Sequence, residues 1–176
     1  MRPYERFEIV ELDEFSGSGA TIYSICLDND DNTLYDHFLA EHQESFRAEL
    51  KDIQKRLTAI AKLGVRAGYV TDKEGSLGAG DGVVALCDDP DKHLRLYGIQ
   101  FGQAILIVGG GGHKPKEVDG KWVRAFQDIP KLKDENYLLR ALSARINQAQ
   151  RDGDLAIDWR SNRLTGNLSF GPDEED

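Results

Sequence analysis

The sequence has few residues that could cross-link the chain or carry it into a membrane. Among 176 residues there are only two cysteines, Cys26 and Cys87. Each lies in an apolar run, which favours buried free thiols in a reducing compartment over a disulfide. The segment Met1–Glu8 is charged throughout and lacks the apolar stretch of a secretory signal. No apolar run approaches the roughly 20 residues that span a bilayer. These absences predict a cytoplasmic protein that does not enter membranes.

Positive charge is also scarce. The chain has 22 lysines and arginines against 31 aspartates and glutamates, and its formal net charge is −9. This balance disfavours attraction of the whole surface to nucleic acid or to an anionic membrane, but it leaves room for a local basic patch. The chain is long enough to bury a core without covalent staples. We therefore expect a single domain over residues 1–171 and an acidic, disordered tail at 172–176.

A β-hairpin is predicted in the middle of the chain. Residues His93–Gln100 alternate, with leucines on one face of the strand and Arg95 and Tyr97 on the other. After a turn, the run Ala104–Val108 is short, almost wholly apolar and rich in β-branched residues. This composition is typical of an interior strand that is covered on both faces.

Four glycines, Gly109–Gly112, follow the predicted interior strand. They do not match a phosphate-binding loop, because His113 intervenes before Lys114 and Pro115 follows it. The sequence therefore predicts a flexible loop that releases the chain from the sheet. A cationic group comes next, formed by His113, Lys114 and Lys116.

A long amphipathic helical region is predicted over Leu34–Leu63. Its apolar residues are spaced three and four apart and form one stripe. Thr33 can cap its start, and Gly64 supplies a stop signal at its end. Thirty residues is long for one helix, so we expect a break into two helices near His42–Gln43.

The remaining periodic segments complete an α+β fold. They are strands at Tyr4–Val10, Thr21–Leu27 and Gly82–Asp88, a helix near Asp134–Arg151, and a final hairpin from Leu155–Trp159 and Leu164–Phe170. The first two strands are expected to pair as an N-terminal hairpin, and Trp122 and Phe126 are expected to pack in the core. The predicted fold is an antiparallel sheet of three or four core strands against one or two helices, extended by this hairpin and by the C-terminal helix and hairpin.

No metal or cofactor is predicted. The segment Asp28–Asn32 has the spacing that opens a calcium loop, but Thr33 replaces the required glycine and Leu39 replaces the closing glutamate. His37 and His42 are five residues apart and do not share a helical face closely.

The candidate site consists of Arg95, Tyr97, His113, Lys114 and Lys116. Cations stabilise the charge that develops on a phosphate in a transition state, and an aromatic ring can stack on a base. The set therefore suits a phosphodiester. We expect Arg95 and at least one of the three residues after the glycines to converge on one concavity at the edge of the sheet. The alternative is an ordinary strand surface and a solvated basic turn.

The element order and three short motifs resemble the RelE/HigB superfamily of toxin components. A strand, an apolar helical region and antiparallel strands follow one another from about Thr21 to Lys116. The strand with Arg95 and Tyr97 resembles the family's R-x-x-Y/F strand. The family's last core strand and its basic ending look like AILIVGGGGHKPK here, and its G-LWELR strand is similar to DGVVAL, without the arginine.

The resemblance implies a RelE-like core at about residues 21–116, a C-terminal extension at 117–171, and a metal-independent, ribosome-dependent mRNA endonuclease. By resemblance, Arg95 would stabilise the scissile phosphate, while Tyr97, His113, Lys114 or Lys116 would handle protons and charge. Attack would come from the 2′-hydroxyl of the RNA.

The resemblance also implies partners. These are mRNA or the ribosome, and an antitoxin protein that would bind an exposed apolar groove on the sheet or beside the Leu34–Leu63 helix. An alternative from another class of function is a non-catalytic module that uses the same sheet to bind a protein.

Overall fold

The computed structural model of the chain describes residues 5–15, 17–71, 82–88, 93–123 and 125–172. Helices and strands are mixed along the chain, which confirms the predicted α+β class. In chain order they are β1 (Phe7–Glu11), β2 (Thr21–Leu27), α1 (Leu34–His42), α2 (Arg47–Leu63), β3 (Val83–Cys87), β4 (Leu94–Phe101), β5 (Ile105–His113), β6 (Glu117–Val118), β7 (Lys121–Trp122), α3 (Pro130–Arg151), β8 (Leu155–Asp158), β9 (Arg163–Gly166) and β10 (Ser169–Phe170).

The main sheet has six strands in the order β10-β1-β2-β5-β4-β3. Neighbouring strands are antiparallel except β2 and β5, which run parallel. The predicted N-terminal hairpin is confirmed as the β1–β2 pair, and β5 is an interior strand as expected. The sheet is larger than predicted because this hairpin and β10, from the C-terminal extension, join the same sheet as the central strands.

Each face of the sheet has its own hydrophobic core. On one face, α1 and α2 pack against Leu94, Leu96 and Leu106. On the other, α3 and the β8–β9 hairpin pack against Tyr97 and Ile107. The predicted alternation of β4 is therefore confirmed, since its leucines and its aromatic residue lie on opposite faces.

The helical region breaks where the sequence predicts. Helix α1 ends at His42, and α2 begins at Arg47. Thr33 caps α1 through a hydrogen bond from the backbone N–H of Asp36, and Gly64 ends α2 with a φ of 95°. Helix α3 begins at Pro130, earlier than expected, because proline suits the first turn of a helix.

The prediction of a flexible glycine loop after the interior strand is wrong. Gly109–Gly112 belong to β5, where Gly111 pairs with Leu96 and Gly112 pairs with Arg95. The register shifts between the Leu96 and Gly98 pairs, so β5 has one extra residue opposite Tyr97. This is a β-bulge, which local glycines accommodate easily.

The glycines are needed because other backbone and side-chain groups approach β5 closely. A Cβ on Gly111 would overlap the carbonyl oxygen of Arg95, and one on Gly109 would lie 2.9 Å from Leu139 of α3. A Cβ on Gly110 would meet the carboxylate of Glu135, the end of a flexible side chain that can move aside, so this position is less restricted. Tertiary packing therefore decides the conformation of this segment against its local preference for a loop.

Some predicted boundaries differ from the structure or lie outside it. The last hairpin is formed by β8 and β9 alone, and Ser169–Phe170 instead pairs with β1. Tyr4, at the start of the first predicted strand, lies outside the described residues, as does most of the predicted tail, at 173–176.

We expect Gly111→Ala to destabilise the protein because a methyl group has no room beside the backbone of β4. The loss in unfolding free energy should be roughly 1–3 kcal/mol or more, as for other overpacked sites. Gly68→Ala is the matched control, since no atom lies within 4 Å of a Cβ at that position. Urea denaturation of both variants measures the difference. Equal midpoints would contradict the close contact between the two strands.

Candidate functional site

The predicted site residues lie on β4, at the end of β5 and just after β5, and the sheet separates two of them. His113 pairs with Leu94, and Arg95 pairs with Gly112. Because paired residues share a face, His113 lies on the side of α1 and α2, whereas Arg95 lies on the side of α3. Strand alternation therefore separates Arg95 from His113, and the expected convergence of Arg95 with Lys114 or Lys116 stays a prediction.

Tyr97 and Arg95 are both withdrawn from solvent. Tyr97 has no exposed surface and packs edge-on against Phe126, with 6.2 Å between ring centroids. Arg95 is 8% exposed, and its Nη1 donates a hydrogen bond to the carbonyl oxygen of Leu94 at 3.3 Å. Tyr97 is thus a core residue and not an accessible platform for a base. This corrects the role that the sequence suggested for it.

Lys114 and Lys116 follow β5 and lead away from the sheet. The backbone N–H of Lys114 donates to the carbonyl oxygen of His93 at 2.8 Å, so the antiparallel pairing continues one step beyond the strand. Lys114 is half-buried, whereas Lys116 is exposed. Of the five predicted residues, Lys116 is the one fully open to solvent.

Three of the four histidines form a cluster that the sequence did not predict. His42, His93 and His113 surround Phe46, and the ring of Phe46 lies 5.9, 6.4 and 4.7 Å from theirs, respectively. His93 and His113 are themselves 6.3 Å apart. This histidine cluster joins the α1–α2 connection to the end of the sheet. These residues come together through the strand register and the helix break. No local sequence motif therefore predicts the cluster.

Burial disfavours a positive charge on His42, a member of the histidine cluster. It lowers the pKa of the His42 imidazole below the ordinary value, opposed by Glu41 and reinforced by Lys131 and His113. The Nε2 atom of His42 is buried without a hydrogen-bond partner. Burial therefore favours the neutral form of His42.

His113 behaves in the same way. Burial lowers its pKa, the neighbouring His93 lowers it further, and Asp88 acts in the opposite direction. His93 also lies 3.9 Å from a carboxylate oxygen of Glu49. A protonated His113 would therefore place a positive charge beside the ring of His93 in a partly buried space.

The described residues contain no group of three or more histidine, cysteine, aspartate or glutamate side chains arranged to hold a metal ion. The two cysteines lie on β2 and β3, and both are half-buried. Burial raises the pKa of the Cys26 thiol, and nearby acidic residues raise it further. That thiol is therefore a weak nucleophile.

Exposed aromatic side chains lie beyond the predicted site. Trp122 is 69% exposed, whereas Phe126 is buried, so only one of the two expected packing residues is in the core. On α3, Tyr137 is 39% exposed, and its ring has the cationic groups of Lys133 and Arg140 at 5.7 and 5.6 Å. These aromatics belong to the segment that follows β5.

An open groove lies beside the junction of α1 and α2. Its volume is about 430 Å3. Its lining is mixed, with Leu39 and Leu50 among polar and charged side chains. The groove is on the helical region where the family resemblance leads us to expect a partner surface.

Comparisons of the chain with protein-family models, curated proteins and solved structures found no match. Within the part of the chain that the structure describes, no helix has the length and apolar character to cross a bilayer. The chemistry of the candidate site is therefore inferred from the geometry of its residues alone.

We expect acidification from pH 7.5 to 5.5 to lower the melting temperature by a few degrees. Because the pKa values of His42 and His113 are lower in the folded state, the unfolded chain binds more protons as the pH falls towards and below about 6.5. Their contribution to stability is complete above that pH and is lost below it.

The measurement is thermal unfolding across this pH range for the wild type, for His42→Gln and for His113→Gln. Each variant should show a shallower pH dependence than the wild type. His37→Gln is the control, since His37 lies outside the cluster and pairs with Asp30 at 2.6 Å. A pH profile that neither cluster variant alters would contradict this assignment.

Proposed function

We propose that the protein is a RelE/HigB-like, toxin-related protein that binds RNA and does not cleave it through Arg95 and Tyr97. The first support is the order of elements. Strand β2 leads through α1 and α2 to the antiparallel strands β3, β4 and β5. This is the order on which the resemblance to that superfamily depends.

The observation that carries RNA binding is the uneven distribution of charge. Residues 114–151 contain nine lysines and arginines against five acidic residues, whereas the first 63 residues contain seven against thirteen. Phosphate contacts by such cations supply most of the non-specific affinity for nucleic acid. Lys131 is already paired, with Glu41 at 3.2 Å and Glu135 at 2.7 Å. The exposed lysines left for phosphates include Lys116 and Lys121.

Burial and alternation argue against cleavage by the predicted residues. A general base must come within hydrogen-bond reach of the proton that it abstracts. Tyr97 has no exposed surface, and His113 lies across the sheet from Arg95. One phosphate could not contact Arg95 and His113 together without a rearrangement of the core. The accessible cations support binding instead.

We expect Lys116→Glu to weaken RNA binding several-fold and to reduce the slope of log K against log salt by roughly 0.7–1, because one phosphate contact is lost. Lys55→Glu makes the same change of charge on α2, where Lys55 is exposed, and should have little effect. Fluorescence anisotropy with a labelled single-stranded RNA measures both.

Three outcomes would count against the proposal. One is no RNA binding by the wild type at low salt, and another is equal loss in the two charge-reversal variants. The third is loss of mRNA in a cell-free translation reaction that Arg95→Ala prevents, since this would show that the buried arginine does support cleavage.

The second candidate is a non-catalytic protein-interaction module, and the groove at the α1–α2 junction favours it. Leu39 is half-buried at this groove, and Leu50 lies deeper. A partner of the antitoxin type would place apolar side chains there as a helix. The two functions are compatible, because the groove and the basic segment occupy different elements.

If an antitoxin encoded beside this gene binds the groove, Leu39→Ser should reduce its co-purification with the protein. Leu63→Ser removes a similar side chain at an exposed position outside the groove and should not. Co-expression followed by size-exclusion chromatography measures the complex. Equal recovery with both variants would place the partner elsewhere.

A further inference from the structure

A small β-hairpin extends from the protein directly after the basic turn. We name Glu117–Trp122 the β-finger. Its strands, β6 and β7, pair only with each other, through Glu117 with Trp122 and Val118 with Lys121. Asp119 and Gly120 have φ values of 53° and 79°, the positive angles that a two-residue hairpin turn of type I′ requires. All six residues are exposed.

The β-finger is closed by a hydrogen bond where it leaves the protein, and its side chains are exposed to solvent. The backbone N–H of Val123 donates to the carbonyl oxygen of Lys116 at 2.8 Å, which closes the hairpin where it leaves the protein. Cross-strand pairing places Trp122 on the opposite face from Val118 and Lys121. The indole of Trp122 is thus held in solvent by an ordered turn and contributes nothing to either core.

The surroundings of the β-finger indicate what it contacts. Lys116 precedes it and Lys121 lies within it, together with two acidic residues, Asp119 and Glu117, the cross-strand partner of Trp122. An exposed aromatic ring with lysines nearby in the chain is a combination with which proteins hold single-stranded nucleic acid, since the ring stacks on a base and the cations contact phosphates. A double helix keeps its bases stacked on each other and does not offer a free face.

We propose that the β-finger binds single-stranded RNA, with Trp122 stacking on an unpaired base and Lys116 and Lys121 contacting the flanking phosphates. This inference rests on the proposed RNA-binding function and names the form of RNA that the site takes. A protein partner is less suitable, because a stable protein interface involves roughly 20–30 residues on each side, whereas the β-finger has only six.

The two tryptophans of the chain allow a direct test. Trp159→Phe leaves Trp122 as the only indole, and Trp122→Phe leaves Trp159, which is 60% exposed and lies beside Gly102 at the β4–β5 turn. Each variant is titrated with an unstructured RNA oligonucleotide and with an RNA duplex of the same length. Single-stranded RNA should quench Trp122 and leave Trp159 unchanged, and the duplex should quench neither.

A Trp122→Ala variant measures the contribution of the stack. Its affinity for the single strand should fall roughly 5- to 150-fold, as for other base–aromatic contacts. Its melting temperature should not change, because the side chain is 69% exposed. Its affinity for the duplex should equal that of the wild type.

The outcomes separate this inference from the function on which it rests. No RNA binding by the wild type would overturn both. RNA binding with unchanged Trp122 emission, or with equal quenching of Trp159, would overturn the β-finger inference alone. A change in Trp122 emission that depends on protein concentration without RNA would show that a second copy of the chain occupies the finger, and would also overturn it.

Discussion

The structure depends on how closely α3 and β4 approach the glycine-rich end of β5. Side chains of ordinary size at Gly109–Gly111 would overlap Leu139, Glu135 and the backbone of Arg95. Without Cβ atoms there, the helix lies directly on the strand, and the bulge opposite Tyr97 can form. The packing of Tyr97 and the exit of the basic turn both follow from this contact, since they occupy the same end of the sheet.

Ion pairs of Lys131 link the two helical layers across the same end of the sheet. Lys131 of α3 reaches Glu41 of α1 at 3.2 Å and Glu135 at 2.7 Å. Such exposed pairs contribute little stability individually. Their position is informative because Glu41 also neighbours His42. The charge on α3 is thereby coupled to the histidine cluster on the opposite face, and both helices meet where β5 leaves the sheet.

Much of the fold could be predicted from local patterns. The stripe of the helical region, its break after His42, the alternation of β4 and the interior position of β5 all follow from periodicity and composition. The glycine run could not be predicted, because four glycines in isolation favour a loop and only the neighbours in space require a strand. Trp122 and Phe126 are similar residues four apart, and the 310 turn at Phe126–Asp128, not the sequence pattern, buries only the second.

Strand alternation separates two residues of the candidate site, Arg95 and His113. Arg95 and His113 come together only if they belong to the same alternating face, and a single residue of register decides this. The pairing of Leu94 with His113 assigns Arg95 and His113 to opposite faces of the sheet, so these two side chains cannot act on one phosphate. The segment that follows β5 remains accessible. Its residues Lys116, Lys121 and Trp122 are exposed whatever the register between β4 and β5. Such an exposed segment outside the sheet is better suited to binding than to catalysis. Binding tolerates variation in the distances between groups, whereas proton transfer requires them to be held within hydrogen-bond reach.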